Sequence, residues 1–133
     1  MEQLSRKGFL CIMASYKELK VWQKGIHLVK DIYQVTVALP KGAHFGLVDQ
    51  LRRASISIPS NIAEGNGRHS RGDYIHYLHI ARGSCYEMET QVIISKELGF
   101  LDEAQYQSLS TQIDEVGRML NAMIQKLSST SNN

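Results

Sequence analysis

The side chains able to do chemistry in this 133-residue chain crowd into its middle, between Gln50 and Gln91. His69, Asp73, His76 and His79 recur every three or four residues, a spacing that stacks them along one side of a helix. Imidazole and carboxylate are metal ligands, and two or three of these could share one ion. A closed site needs further ligands from a second element, and no matching set stands elsewhere. Helical bundles that hold iron use Glu-x-x-His pairs. That pattern fails here, because the residues three after Glu64, Glu87, Glu89, Glu97, Glu103 and Glu115 are Gly67, Thr90, Val92, Phe100, Tyr106 and Arg118. A metal-binding enzyme built on His69, His76 and His79 is thus the most remote reading, and no metal or cofactor is expected. Glu87 and Glu89, with Ser84 and Gln91 close by, could do acid–base work. No nucleophile elbow or phosphate loop accompanies them, and Gly65 and Gly67 mark a helix end rather than a dinucleotide fingerprint, since no strand precedes them. No catalytic residue is assigned, and the chain is expected not to be an enzyme.

Arg52, Arg53, Arg68, Arg71 and Arg82 form the richest set of reactive groups. A guanidinium grips phosphate or carboxylate through two parallel hydrogen bonds. Two uses compete. The arginines could contact RNA or DNA phosphates, with Tyr74 and Tyr77 available to stack on bases. Alternatively they could pair with Glu64, Glu87 and Glu89 where copies of the chain meet, leaving a structural adaptor that docks a protein partner. Arg53, Ser57, Asn61, Glu64 and Arg68 follow at intervals of 4, 4, 3 and 4, a polar ladder opposite the apolar stripe Leu51, Ala54, Ile58 and Ile62. A solvated surface needs no such order. The ladder reads as a seam against another helix, of the same chain or of a second protomer. Arg53, Ser57, Asn61, Glu64 and Glu87 are therefore the expected oligomer contacts.

The elements that must hold these groups are helices. Pro59 stands in the middle of the ladder helix, where a missing donor and a clash with the Ser55 carbonyl cost about 3 kcal/mol. Ser55, Ser57 and Ser60 are the expected compensating hydroxyls. A first helix is predicted from Ser15, with Glu18 completing a capping box, to Leu39 before Pro40. Its main stripe is Leu19, Trp22, Ile26, Val29, Tyr33 and Thr36, widened by Leu28, Ile32, Val35 and Leu39. The second helix spans about Phe45 to Glu64, ended by Gly65, Asn66 and Gly67 in a left-handed cap. The third is capped by Ser70 and Asp73, carries Tyr74, Leu78, Ala81, Cys85, Met88 and Val92, and stops at Gly99. The fourth opens with an Asp102–Gln105 box and a Leu101–Tyr106 staple, then repeats Tyr106, Leu109, Ile113, Val116, Leu120, Met123 and Leu127 at 3–4 spacing. The fold class is all-α: an antiparallel up-down-up-down four-helix bundle over residues 16–128, with an extension at 1–15 and a frayed tail at 129–133.

Charge is asymmetric. Residues 1–40 and 41–83 each carry net +3, and residues 84–133 carry −4. The total of +2 is too small by itself to imply nucleic acid, so distribution and assembly must supply any basic surface. Arg6 and Lys7 before the short apolar run Gly8–Ala14 superficially resemble a signal peptide, but the run is brief and Ile12 fits the cleavage position poorly. Met13 offers an alternative start. Two cysteines make neither a disulfide framework nor a zinc site, no apolar run is long enough to cross a membrane, and a cytoplasmic setting is expected.

Four motifs then match one family in order. LKVWQKG at Leu19–Gly25, QLRRASISIPSNIAEGNGR at Gln50–Arg68, ARGSCYEMETQ at Ala81–Gln91 and the LGFLDEAQY turn resemble the four-helix-bundle proteins encoded in 23S rRNA intervening sequences. The resemblance runs from about Tyr16 to Leu127. Asn66 departs from it, since the family usually places an aromatic between the two glycines. Arg52, Arg53, Ser57, Asn61, Glu64, Arg68, Gly83, Ser84 and Glu87 match its motif positions. The resemblance implies a homo-oligomer, typically a ring of five, without established enzymatic activity. The chain is also similar to accessory bundles of diversity-generating retroelements, which implies nucleic acid and a reverse transcriptase as partners.

Overall fold

Apolar side chains recurring every three to four residues must be withdrawn from water, and this chain withdraws them between helices. A computed structural model describes residues 15–130. Its α-helices are α1 (Lys20–Val37), α2 (Asp49–Asn66), α3 (Arg71–Glu97) and α4 (Glu103–Thr130), with no strand among the described residues. α2 packs against α1 and α3, and α4 closes the set against α3 and α1. The core between them holds Leu28, Ile32, Ile58, Ile62, Leu78, Met88, Val92, Val116 and Leu120, each essentially inaccessible to water. Cys11, Met13 and the rest of residues 1–14, and residues 131–133 of the tail, lie outside the described residues.

The core faces expected for α2, α3 and α4 are the ones buried. α1 differs. Its buried stripe is Val21, Gly25, Leu28, Ile32 and Thr36, whereas Ile26 and Tyr33 of the expected main stripe are exposed. Two apolar stripes compete on this helix, and the inner one contains Gly25, which permits close approach to α2. A Cβ there would stand 3.5 Å from Ile58 Cγ2 and from Pro59 Cβ and Cδ. That is ordinary contact, so Gly25→Ala should gain the helix propensity of alanine without a clash. An increase of about 0.5–1 kcal/mol in unfolding free energy is expected by urea titration; a loss would show that α1 and α2 have no room to give.

The chain enters α1 differently from expectation too. Ser15 makes no side-chain cap; Tyr16–Glu18 form a 3-10 turn, and extended Leu19 precedes Lys20. The Tyr16 ring meets the Trp22 edge at 5.4 Å, and the Gln23 amide donates to the Lys17 carbonyl at 2.9 Å. These contacts replace the box.

A π-turn at His44–Val48 leads into α2. Pro59 is tolerated through packing rather than the expected hydroxyl relay: it is buried against Gly25, while the Ser55 hydroxyl donates to the Arg52 carbonyl at 2.8 Å. The caps of α3 and α4 form as expected. Asp73 N–H donates to Ser70 Oγ at 3.0 Å. Asp102 N–H donates to Gln105 Oε1 at 2.9 Å, and Gln105 N–H to Asp102 Oδ1 at 2.8 Å. Gly99, at φ +80°, ends α3 with Phe100 N–H on the Ser95 carbonyl and Gly99 N–H on the Lys96 carbonyl, the paired bonds of a left-handed cap. Gly67 does not do this. It closes α2 at φ −82°, in right-handed geometry, so the expected left-handed cap is absent there.

Candidate functional site

The polar ladder of α2 lies along α3 of the same chain. Gly65 sets how closely the two helices meet: a Cβ there would fall 2.8 Å from Tyr77 Cβ and 3.3 Å from the Tyr74 carbonyl oxygen. Farther up the seam, short polar side chains meet. Ser84 donates to Ser57 Oγ at 2.8 Å, and the Asn61 amide donates to the Ser57 carbonyl at 2.8 Å and to Ser57 Oγ at 2.9 Å. Farther along, buried Gln91 offers its Nε2 to Gln50 Oε1 at 3.4 Å and Glu87 Oε2 at 3.3 Å, while its own Oε1 has no partner. The pairs 50–91 and 57–84 fix the register of α2 on α3.

The far end of the seam is the exposed turn joining α2 to α3. Arg68 donates to Glu64 Oε2 at 2.7 Å and to the Tyr77 hydroxyl at 2.6 Å, with its guanidinium carbon 5.0 Å from the Tyr77 ring centre. Tyr77 first, then Glu64, pushes the Arg68 pKa up against the opposing effect of desolvation. Asn66 stands beside Tyr74, whose hydroxyl accepts its Nδ2 at 3.3 Å. Burial raises the Tyr74 pKa, opposed by that bond. Asn66 Oδ1 is buried without a partner.

The five arginines do not form one patch. Arg52 reaches back toward α1, donating to Thr36 Oγ1 at 3.0 Å and lying 4.5 Å over Tyr33. Arg82 turns toward α4, donating to Asn121 Oδ1 at 3.1 Å, with its guanidinium 3.9 Å over Tyr86 and laid across Gly117. Arg53 and Arg71 are exposed and form no ion pair among the described residues. His69, His76 and His79 do not converge: no group of three or more His, Cys, Asp or Glu suited to a metal exists among the described residues, which removes the metal-enzyme reading. His76 instead meets the Tyr77 ring edge-on at 5.6 Å. Cys85 is a core residue whose thiol burial pushes up to about 11, far from a nucleophile's range.

Sequence reasoning missed two surface grooves. One, of about 260 Å³, runs between α1 and α4 and is lined by Lys20, Lys24, His27, Gln112 and Glu115, with Lys24 and Glu115 paired at 3.1 Å. The spacing of 20, 24 and 27 was its signal. The other, about 290 Å³, lies between α1 and α2 beside Trp22, Ile26, Val29, Ile56 and Pro59. The surplus apolar stripe of α1 was the corresponding hint.

A family model described as 23S rRNA-intervening sequence protein matches residues 17–122. A 1.70 Å crystal structure of a protein of unknown function from the S23 ribosomal protein family, from Bacteroides thetaiotaomicron VPI-5482, is similar to this chain. The TM-score is 0.72 at 26% identity, covering 78% of this chain and 97% of that one. A search of curated proteins returns no match.

Proposed function

The chain belongs to the 23S rRNA-intervening sequence protein family, and from that premise we propose a non-enzymatic helical bundle that assembles with copies of itself and binds RNA or DNA through basic surface. Its helices follow one another antiparallel, up-down-up-down, as the short α2–α3 and α3–α4 connections favour. A ring of five is the expected assembly and the cytoplasm the expected setting; no described helix is long and apolar enough to cross a membrane. Five chains of +2 would sum to roughly +10, a field large enough to steer a polyanion.

The observation that carries the reading is the exposed turn 67–70, with the first residues of α3, at the end of the seam. Arg68 is held over Tyr77 there, and Arg71, three residues on, is exposed with no ion pair among the described residues. A fixed guanidinium over an aromatic ring and a free one three residues on suit phosphate contact. Generic RNA and DNA should shift this protein in gels at low salt, with affinity falling steeply as salt rises. Arg71→Ala should weaken binding to all sequences alike and reduce the salt slope by about 1, with assembly unchanged. Binding that is absent at low salt, or indifferent to salt, rejects the proposal.

A second reading, an adaptor that docks a protein partner, rests on Phe45, which is 94% exposed in the π-turn. Phe45→Ala leaves nucleic-acid affinity unchanged on the first reading and abolishes partner capture on the second.

A further inference from the structure

The groove between α1 and α2 leaves apolar side chains open to water where the chain enters the bundle. Its volume is about 290 Å³, and Trp22, Ile26 and Pro59 stand in its wall. Ile26 is 44% exposed and Trp22 only half-buried. Tyr16, in the turn that leads into α1, belongs to the same wall. Thr36 meets Arg52 and Gly25 meets Pro59, so Ala63 falls at the Tyr16 end of the groove and Ile56 at the other. An open apolar surface of this kind marks a place where something docks.

The sequence supplies an occupant next to that end. Phe9, Leu10, Cys11, Ile12 and Met13 are five consecutive apolar residues, and only Ala14 and Ser15 separate them from Tyr16. They lie outside the described residues, which begin at an extended Ser15. Five residues reach roughly 16 Å when extended, against about 6 Å of rise along α1 from Trp22 to Ile26. The run is long enough to cover the Tyr16 end. A two-residue tether holds it there at an effective concentration of about millimolar or above, which favours it over any separate chain.

We propose that residues 9–13 seat in the Tyr16 end of the α1–α2 groove of their own chain, against Trp22, Ile26 and Ala63, and leave Ile56 open. The inference rests on neither the nucleic-acid reading nor the assembly reading.

Cys11 makes the test direct, because the other cysteine, Cys85, is fully buried and does not compete for an oxidant. Ser60 is exposed in the groove wall, so Ser60→Cys places a second thiol beside the seat without disturbing the core. Treated with diamide in dilute solution, the full chain carrying Ser60→Cys should close a disulfide within one chain, seen as faster migration on a non-reducing gel. Thr111→Cys, exposed on α4, is the control and should close at least about tenfold more slowly, since a disulfide needs its two Cα atoms within about 7 Å. Closure at the control's rate overturns the proposal. A cross-linked pair of chains in place of the single-chain band also overturns it, because the groove then belongs to a second copy. Trp22, the sole tryptophan, reports the contact without cross-linking. Leu10→Asp with Ile12→Asp in the full chain should move its emission to longer wavelength and raise acrylamide quenching about twofold, with helix content by circular dichroism unchanged. Equal quenching in the native and substituted chains overturns the contact, as does protection of Trp22 that disappears on dilution.

Discussion

Ile58→Ala should remove about 2–5 kcal/mol of unfolding free energy, seen as an earlier urea midpoint with an unchanged slope. Ile58 is completely buried on α2, next to Gly25 and Pro59, where α1 and α2 touch. Truncation there loses the transfer energy of the removed methyl groups and leaves a void. The neighbouring helices relax poorly into it, because Pro59 already limits how α2 can bend. Whole-domain stabilities are about 5–15 kcal/mol, so this one change consumes a large fraction. Ile56, two residues away and 42% exposed, makes the control: Ile56→Ala should shift stability by less than about 0.5 kcal/mol. Equal effects at the two positions would mean that the α1–α2 groove is covered by another chain. The measurements should share one protein concentration, since assembly contributes to apparent stability.

Gly65→Ala should also destabilise, by about 1–3 kcal/mol, although alanine is the better helix former. The new methyl would meet Tyr77 Cβ at 2.8 Å and Tyr74 Cδ1 at 3.0 Å, with the Tyr74 carbonyl at 3.3 Å. A Cβ and a carbonyl are fixed to the α3 backbone and cannot swing aside, so the helices must separate. Separation loosens the Ser57–Ser84 contact and the Arg68–Tyr77 contact together. The gain in helix propensity, about 0.5–1 kcal/mol, is smaller than the overpacking cost. The melting temperature should fall by roughly 3–6 °C for each kcal/mol in a chain of this size. Gly25→Ala, the same chemical change 40 positions earlier, should move the opposite way, since its nearest neighbours leave 3.5 Å. A Gly65→Ala protein as stable as the native one would show that α2 and α3 are not held at this separation.

Much was legible before any fold was in hand. The existence and order of the helices followed from apolar periodicity, and the ends of α3 and α4 from local signals. Ser70, Asp102 with Gln105, and Gly99 each satisfy backbone groups only a few residues away, so their chemistry is complete within the sequence. The family motifs were equally local, being runs of residue types in order. Where the reading erred, the deciding partner was distant. Ser15 and Glu18 have the spacing of a box, but Tyr16 contacts Trp22 and the chain takes a 3-10 turn instead. Gly65 looked like punctuation and is instead a point of close contact between α2 and α3.

Periodicity assigns each residue an angle around its own helix axis and nothing more. It therefore determined that α1 has two apolar stripes and that α2 has a polar one. It could not say which α1 stripe faces inward, because that depends on where Gly25 lets α2 come near. Nor could it say where five arginines point: a guanidinium on a long flexible stem ends at whatever acceptor or ring tertiary packing brings within reach. Thr36 and Tyr33 drew Arg52 to one side of the bundle, Asn121 and Tyr86 drew Arg82 to another, and Glu64 and Tyr77 kept Arg68 on the seam.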